Sequence, residues 1–214
     1  MIRILLVDDH ELVRTGFRGI LEGDPGIEVV GEAKSGEEAL QQVQKLTPDL
    51  VLMDINMPGI GGIEATRKIK RLHPGTKVIA VTIHSRAPFP EQLHEAGAMG
   101  YVSKACSPDE LFEAIRTVLS GGAFISSDVS RKMTLGMLAG TSPDAPFGKL
   151  SQREMQVLLM ITQGSRTQDI SDSLCISPKT VSTYRHRLFE KLNVRSDVEL
   201  THLALRHGLI GETA

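Results

Sequence analysis

The sequence contains no apolar run that approaches the roughly 18 residues needed to span a membrane. Its first segment, MIRILLVDDH, reaches two aspartates before the apolar part of a cleavable signal could be completed. Cysteine is also scarce: Cys106 and Cys175 lack the spacing of a metal-binding motif and are typical of a reducing compartment. We therefore expect a cytoplasmic protein with free thiols and no membrane partner.

The 214 residues are enough for one large domain or two small ones. The net charge of −2 conceals an uneven distribution, because acidic residues outnumber basic ones before residue 120 but not after residue 150. Residues 178–195 hold one acidic residue and five basic ones, which are Lys179, Arg185, Arg187, Lys191 and Arg195. This local excess of positive charge indicates a polyanionic partner, although a solvated helix face carries the same pattern.

Five short apolar segments alternate with helical patterns over residues 1–120. They are IRILLV, IEVVGEA, LVLMD, KVIAVT and AMGYVS. Continuous apolar strands that alternate with helices predict a parallel sheet covered on both faces. With right-handed crossovers, the prediction is an α/β fold with a doubly wound, flavodoxin-like, five-stranded sheet of order 2-1-3-4-5.

The pattern changes after residue 120. Residues 121–149 include GTSPDAPFGK, whose composition predicts a linker. Residues 150–214 are predicted to form an all-α domain of four helices. Ser151 and Glu154 have the spacing of a capping box that begins the first helix, and Gly164 ends it. The other helices are predicted at about 167–174, 178–192 and 197–207.

Polar residues stand at four predicted strand ends: Asp8 and Asp9, Asp54, Thr82 and Lys104. In such folds, ligands bind at the carboxyl ends of strands where the winding reverses, so we expect the three aspartates in one crevice. Neighbouring carboxylates require a cation, and oxygen ligands suit Mg²⁺. The residues therefore predict a site for Mg²⁺ and phosphate. The alternative interpretation is that these acids are merely solvated or cap the following helices.

Four segments, in this order and at these intervals, resemble the receiver domain of bacterial two-component response regulators: LLVDDH, LVLMDINMPGIGGIE, AVTIHS and GYVSKACSPDEL. The resemblance covers residues 2–120. It implies that a sensor histidine kinase phosphorylates Asp54. It also implies that Mg²⁺ is held by Asp8, Asp9, Asp54 and the backbone carbonyl of Asn56.

The resemblance assigns a further role to three residues near the phosphoryl group. Lys104 would pair with the phosphoryl oxygens, and Thr82 would swing to hydrogen-bond one of them while Tyr101 turns inward. Judged by its residue type alone, Tyr101 is an amphipathic strand residue near the surface. We further expect the turn NMPG after the buried strand LVLMD to expose the Asp54 carboxylate to a partner.

Helical winding separates two faces of residues 178–192. One face is an apolar stripe of Val181, Tyr184, Leu188 and Leu192. The opposite face holds Lys179, Ser182, Thr183, His186 and Arg187, with Glu190 among them. It is small, polar and basic near its N-terminal end, as expected of a helix whose first turns enter the major groove of DNA. The predicted phosphate contacts are Lys179, Thr180, Arg185 and Lys191. A solvated surface helix is the alternative.

The segment LSQREMQVLLMITQG followed by ISPKTVSTYRHRLFEKLNV resembles the LuxR-type helix-turn-helix domain of the NarL/FixJ class, over about 150–211. Within that class the chain is most similar to the GacA/UvrY-type global regulators. The resemblance implies a GacS/BarA-type sensor kinase, promoter DNA and RNA polymerase as partners, with a homodimer on DNA. Residues 166–171, RTQDIS, depart from the family's SNKEIA, which leaves open which of them contact phosphate.

The last predicted helix presents Val198, Leu203 and Leu205 among polar residues. In the resembled family this helix forms a dimer contact, although a domain of about 65 residues could also use these side chains to complete its own core.

Together, the two resemblances predict a phosphorylation-dependent transcriptional regulator in which Asp54 controls dimerisation and promoter binding. One rival hypothesis is a phosphohydrolase with an aspartyl nucleophile. Such enzymes typically carry a second aspartate two residues later, where this chain has Asn56, so we expect no enzyme. Another rival is a protein-interaction adaptor, which predicts no salt-dependent affinity for DNA.

Overall fold

The computed structural model describes residues 1–82, 89–131, 147, 150–174, 176–207 and 209–210, with only the backbone of residues 89–92 and 152. Cys175 lies outside these residues, whereas Cys106 is a free thiol whose pKa is raised to about 11, chiefly by burial. The chain divides into two compact units, the first of which extends to residue 132. No described helix has the length and apolarity that a membrane span requires.

The first unit alternates strands and helices as predicted. Its strands are β1 (Ile2–Val7), β2 (Ile27–Ala33), β3 (Leu50–Asp54), β4 (Lys77–Thr82), β5 (Gly100–Ser103) and β6 (Phe124–Ile125). Its helices are α1 (Glu11–Leu21), α2 (Gly36–Leu46), α3 (Gly61–Leu72), α4 (Phe89–Ala96) and α5 (Pro108–Leu119). Ser35 and Ser107 accept hydrogen bonds from the third residue of α2 and α5, which explains where these helices begin.

All strands of the sheet are parallel, in the order β2-β1-β3-β4-β5-β6. The predicted order of the first five strands is confirmed, but within the described residues the sheet has six strands instead of five. The extra strand lies inside the segment 121–149 that was predicted as a linker, and Ile125 pairs with Tyr101 of β5. Two residues are too few to show a periodic pattern, so the strand is defined by its partner.

The segment after β6 also packs on the first unit. Residues 127–131 are helical, and the backbone N–H of Ser127 donates to Glu110 Oε1 at 3.0 Å. The region 121–131 therefore contributes to the first unit, while the start of the second domain at residue 150 stays a prediction.

The core lies on both faces of the sheet. Every residue of β3 is buried, as a central strand covered by helices requires. Alternate residues of β1 and β3 point to opposite faces. Ile4, Leu6 and Leu52 belong to a cluster shared with α1 and α5, whereas Leu5, Val7 and Val51 belong to one shared with α2 and α3.

The second unit contains α6 (Gln152–Thr162), α7 (Thr167–Leu174), α8 (Pro178–Leu192) and α9 (Asp197–Arg206). The predicted capping box is confirmed, since Ser151 and Glu154 bond each other's backbone N–H. Val181, Leu188 and Leu192 of the predicted stripe are buried, but Tyr184 is only half-buried. In α9, Val198 is 65% exposed and does not belong to the core.

Candidate phosphoacceptor site and DNA-facing helix

The carboxyl ends of β1 and β3 bring three aspartates together. The two strands are neighbours, with Val7 opposite Met53, so the residues that follow each strand meet at one edge. The ligand atoms of Asp8, Asp9, His10 and Asp54 all lie within 4.8 Å of one another. We call these four residues the acidic cluster. It occupies the predicted crevice, and it includes one residue that was not predicted, His10, which directly follows the two aspartates.

Lys104 links two members of the acidic cluster. Its Nζ lies 2.6 Å from Asp8 Oδ2 and 3.0 Å from Asp54 Oδ2. Burial alone would lower the pKa of Lys104, but Asp54 and Asp8 outweigh it and the pKa lies above its ordinary value. Lys104 is therefore a charged ammonium group held between two carboxylates.

Asp54 lies deeper than the sequence predicted. Its exposed fraction is 2%, so the expectation that the following turn exposes the carboxylate is wrong. The carboxylate instead faces Lys104, and its Oδ1 accepts the backbone N–H of Asn56 at 3.3 Å. Burial raises the pKa of Asp54 above its ordinary value, against the opposing charge of Lys104. A phosphodonor must therefore reach a carboxylate that Lys104 already contacts.

The turn after β3 is fixed by close backbone approaches. A Cβ atom at Gly62 would lie 1.9 Å from the carbonyl oxygen of Asp54, so only glycine allows α3 to start there. Glu37 of α2 holds the same turn, because its Oε1 accepts the backbone N–H of Ile60 at 2.9 Å. Neither contact follows from a local pattern, since each joins elements that are distant in sequence.

Thr82 and Tyr101 form a buried pair. Thr82 has no exposed area, Tyr101 is 4% exposed, and the two side chains are hydrogen-bonded. Burial raises the pKa of Tyr101 above its ordinary value. The expectation from residue type, that Tyr101 lies near the surface, is wrong. The backbone of β5 is paired with β6 on the side away from β4, so β5 is not an edge strand.

The acidic cluster fits a hard divalent cation. Its ligands are mainly carboxylate oxygens, and Asp9 Oδ1 and Asp54 Oδ2 are buried with a nitrogen as their close partner, which is His10 Nδ1 for the first and Lys104 Nζ for the second. Oxygen ligands of this kind suit Mg²⁺. His10 adds a nitrogen close by, with Nδ1 2.9 Å from Asp9 Oδ1.

Helix α8 presents the polar face that the sequence predicted. The side chains of this face are exposed: Lys179, Ser182, Thr183, His186 and Arg187. The remaining predicted phosphate contacts are engaged within the unit. Arg185 pairs with Asp197, and Lys191 Nζ lies 2.7 Å from the buried Glu154 Oε2. Thr180 is half-buried, and its hydroxyl lies 2.8 Å from that of Ser177 at the helix start.

Comparison with known proteins identifies both units. The family "Response regulator receiver domain" matches residues 4–116, and "Bacterial regulatory proteins, luxR family" matches residues 148–204. The chain belongs to the response regulators with a LuxR-type DNA-binding domain. It is therefore a phosphorylation-dependent, DNA-binding transcriptional regulator of a two-component system.

Relatives of this response regulator match along the whole chain. Response regulator UvrY of Escherichia coli (strain K12) is 53% identical over 209 residues, which cover 98% of this chain and 96% of UvrY. Response regulator GacA of Pseudomonas viridiflava is 51% identical over 214 residues, with complete coverage of both chains. The predicted resemblance to the GacA/UvrY-type regulators is thus confirmed.

A solved structure supports the same architecture. RcsB from Salmonella enterica serovar Typhimurium, bound to promoter rprA in the presence of phosphomimetic BeF3-, has a TM-score of 0.68 and 26% sequence identity. The match covers 94% of this chain and 97% of that one. Response regulators of this type receive phosphoryl groups from sensor kinases, and their receiver domains bind Mg²⁺ at an acidic pocket.

Proposed function

We propose that Asp54 is the phosphoacceptor of this response regulator and that a sensor histidine kinase of the GacS/BarA type is the donor. The proposal is carried by one observation: the Asp54 carboxylate ends a central strand with Asp8 on one side and the Lys104 ammonium group within 3.0 Å. A carboxylate oxygen of Asp54 attacks the phosphorus of phosphohistidine, the phosphorus–nitrogen bond breaks, and the histidine leaves.

The side chains of Asp8, Asp9 and Asp54, with the backbone carbonyl of Asn56, would hold Mg²⁺. The ion supplies positive charge for the oxygens of the transferred group. The residues of the chain do the rest. Lys104 exchanges its contact with Asp54 for the new phosphoryl oxygens, and the Thr82 hydroxyl donates to one of them. Because the side chains of Tyr101 and Thr82 are hydrogen-bonded, a movement of Thr82 changes the packing between β4 and β5.

The exposed face of α8 is the proposed DNA-reading surface. Ser182, Thr183 and His186 would contact base edges, while Lys179 and Arg187 would add phosphate or base contacts. Thr180, Arg185 and Lys191 are the weaker candidates, because their polar groups already have partners in the unit. A homodimer on promoter DNA, contact with RNA polymerase and a cytoplasmic location complete the proposal.

We propose a switch and not a phosphohydrolase. Asn56 occupies the position at which an aspartyl-phosphate hydrolase needs a general acid, and its backbone N–H bonds Asp54. A multiple-turnover phosphatase assay tests this point, and rapid turnover would contradict it.

The central assignment is tested with acetyl phosphate, Mg²⁺ and intact-mass measurement. Wild type is expected to gain one phosphoryl group and Asp54→Asn none. Asp109→Asn is the matched control, because this aspartate is exposed at the start of α5 and lies outside the crevice. Full labelling of Asp54→Asn would contradict the assignment. Footprinting of the same samples on genomic fragments tests whether phosphorylation strengthens DNA binding.

A further inference from the structure

A buried arginine holds the backbone of the acidic cluster from behind. Arg14 of α1 is 4% exposed, and its Nη1 donates to the backbone carbonyl of Asp8 at 2.8 Å. Its Nε donates to Glu32 Oε2, also at 2.8 Å. A buried guanidinium group requires such partners, because an unpaired charge in the interior is strongly unfavourable.

The two partners of Arg14 lie at the ends of neighbouring strands. Glu32 is opposite Leu6 in the pairing of β1 with β2. Asp8 follows β1 directly, and its backbone N–H donates to Ala33 at 3.1 Å. The planar, two-sided guanidinium group therefore joins the end of β2 to the first residue of the segment 8–10, which is neither strand nor helix.

Asp8 is fixed at its carboxylate as well as at its backbone. Its Oδ1 accepts the backbone N–H of His10 at 2.9 Å, and its Oδ2 faces Lys104 at 2.6 Å. The contact with Arg14 differs from these two because it leaves both carboxylate oxygens available. It can persist when the carboxylate takes a cation as a new partner.

We propose that Arg14 is a positioning residue for the magnesium site. It holds the carbonyl of Asp8, and through the chain also Asp9, so that both carboxylates face Asp54 before the cation binds. The inference rests on the proposed function, in which the acidic cluster binds Mg²⁺. It goes beyond that function, because it assigns part of the Mg²⁺ affinity to Arg14, whose guanidinium group cannot itself be a metal ligand. Mg²⁺ demands nearly ideal octahedral geometry, so a loosened segment 8–10 would bind it less well.

Arg18 provides a matched control. It shares the same carboxylate, since its Nε and Nη2 donate to Glu32 Oε1 at 2.9 and 2.8 Å. The hydrogen bonds of its side chain are to glutamates and not to Asp8. Arg18→Met therefore removes a positive charge and a Glu32 partner from the same helix without releasing Asp8.

The experiment is calorimetric titration of Mg²⁺ into the full chain. The Kd is expected to rise about tenfold in Arg14→Met, as for other residues that orient metal ligands, and to stay within about twofold of wild type in Arg18→Met. The direction of the change in Kd distinguishes lost positioning from lost charge. Loss of a nearby positive charge would by itself tighten Mg²⁺ binding, so weaker binding reports lost positioning.

Arg14→Lys separates geometry from charge and is the variant to use if Arg14→Met does not fold. Lysine keeps the positive charge but lacks the guanidinium group that donates to Asp8 and Glu32 at the same time. We expect weaker Mg²⁺ binding here too, with altered amide signals of Asp8, Asp9 and His10 in magnesium-free NMR spectra. A folded Arg14→Lys with the wild-type Kd, or equal weakening in Arg18→Met, would overturn the inference. A wild-type chain that binds no Mg²⁺ would instead overturn the proposed function.

Discussion

The ammonium nitrogen of Lys104 lies 3.0 Å from Oδ2 of Asp54, and it also contacts Asp8. Lys104 therefore competes with a metal ion for the same carboxylates. We predict that Lys104→Met binds Mg²⁺ at least tenfold more tightly, because tenfold requires only about 1.4 kcal/mol and two unit charges about 4 Å apart interact by up to about 4 kcal/mol at an effective dielectric constant of about 20. Its phosphorylation by acetyl phosphate should nevertheless be slower, since the ammonium group that would pair with the phosphoryl oxygens beside Mg²⁺ is missing.

Two measurements check this prediction: calorimetric titration of Mg²⁺ and the time course of phosphorylation at saturating Mg²⁺. Lys45→Met is the control, because Lys45 is exposed on α2. Unchanged Mg²⁺ affinity in Lys104→Met would show that the ammonium group does not oppose metal binding.

A second prediction concerns the stability of Asp54→Asn without Mg²⁺. Burial raises the pKa of Asp54 above its ordinary value of 3.8, so the folded state holds the proton more firmly than the unfolded state. Wild type therefore loses stability as the pH rises from 3.8 through the folded pKa, whereas asparagine has no proton to lose. We expect Asp54→Asn to melt a few degrees higher than wild type at neutral pH.

The difference in melting temperature between Asp54→Asn and wild type should disappear below pH 3.8. It should shrink or reverse in millimolar Mg²⁺, because the ion stabilises wild type, with its three carboxylates, more than Asp54→Asn. Thermal melts at several pH values, with and without Mg²⁺, measure it. Higher stability of wild type at neutral pH in magnesium-free buffer would contradict the expected cost of the buried charge.

A third prediction uses two glycines. Gly62→Ala would place Cβ 1.9 Å from the carbonyl oxygen of Asp54, so the start of α3 or the end of β3 must move. We expect a loss of about 3 kcal/mol in the free energy of unfolding and impaired phosphorylation. Gly16→Ala on α1 has nothing within 4 Å of the new Cβ and should stabilise by about 0.5–1 kcal/mol. Urea denaturation compares both, and equal effects would refute the close approach.

A fourth prediction separates two lysines of α8. Burial by itself would raise the pKa of Glu154. The hydrogen bonds that Glu154 makes with Lys191 and Ser151 outweigh this effect, so its pKa lies below the ordinary value. Lys191→Met should therefore destabilise the second unit by about 1–2 kcal/mol at neutral pH, and the difference should shrink as the pH falls through the folded pKa of Glu154.

Lys179→Met should instead leave stability unchanged and reduce the slope of DNA affinity against salt by about one, as expected for one lost phosphate contact. Denaturation of both variants and DNA titrations at several salt concentrations distinguish the two roles. If Lys191→Met instead changed the salt dependence of DNA affinity strongly and left stability unaltered, Lys191 would be a phosphate contact after all.

Local features of the sequence determined most of the architecture. The run Leu50–Met53 is apolar throughout, which fixes it as a central strand, and the Ser151–Glu154 pair fixes a helix start. The parallel order follows from right-handed crossovers. The meeting of Asp8 with Asp54 follows as well, because parallel strands end at one edge of the sheet.

Only the tertiary structure decided which partners these residues have. β6 exists because β5 offers it a backbone, and Tyr101 is buried although its residue type allows a position near the surface. Asp54 is covered, Arg14 reaches the Asp8 carbonyl, and Lys191 is held by Glu154 across 37 residues of chain. Periodicity and caps depend on neighbours along the chain, so the sequence reveals them. Ion pairs between distant segments depend on register and helix packing, which no local pattern encodes.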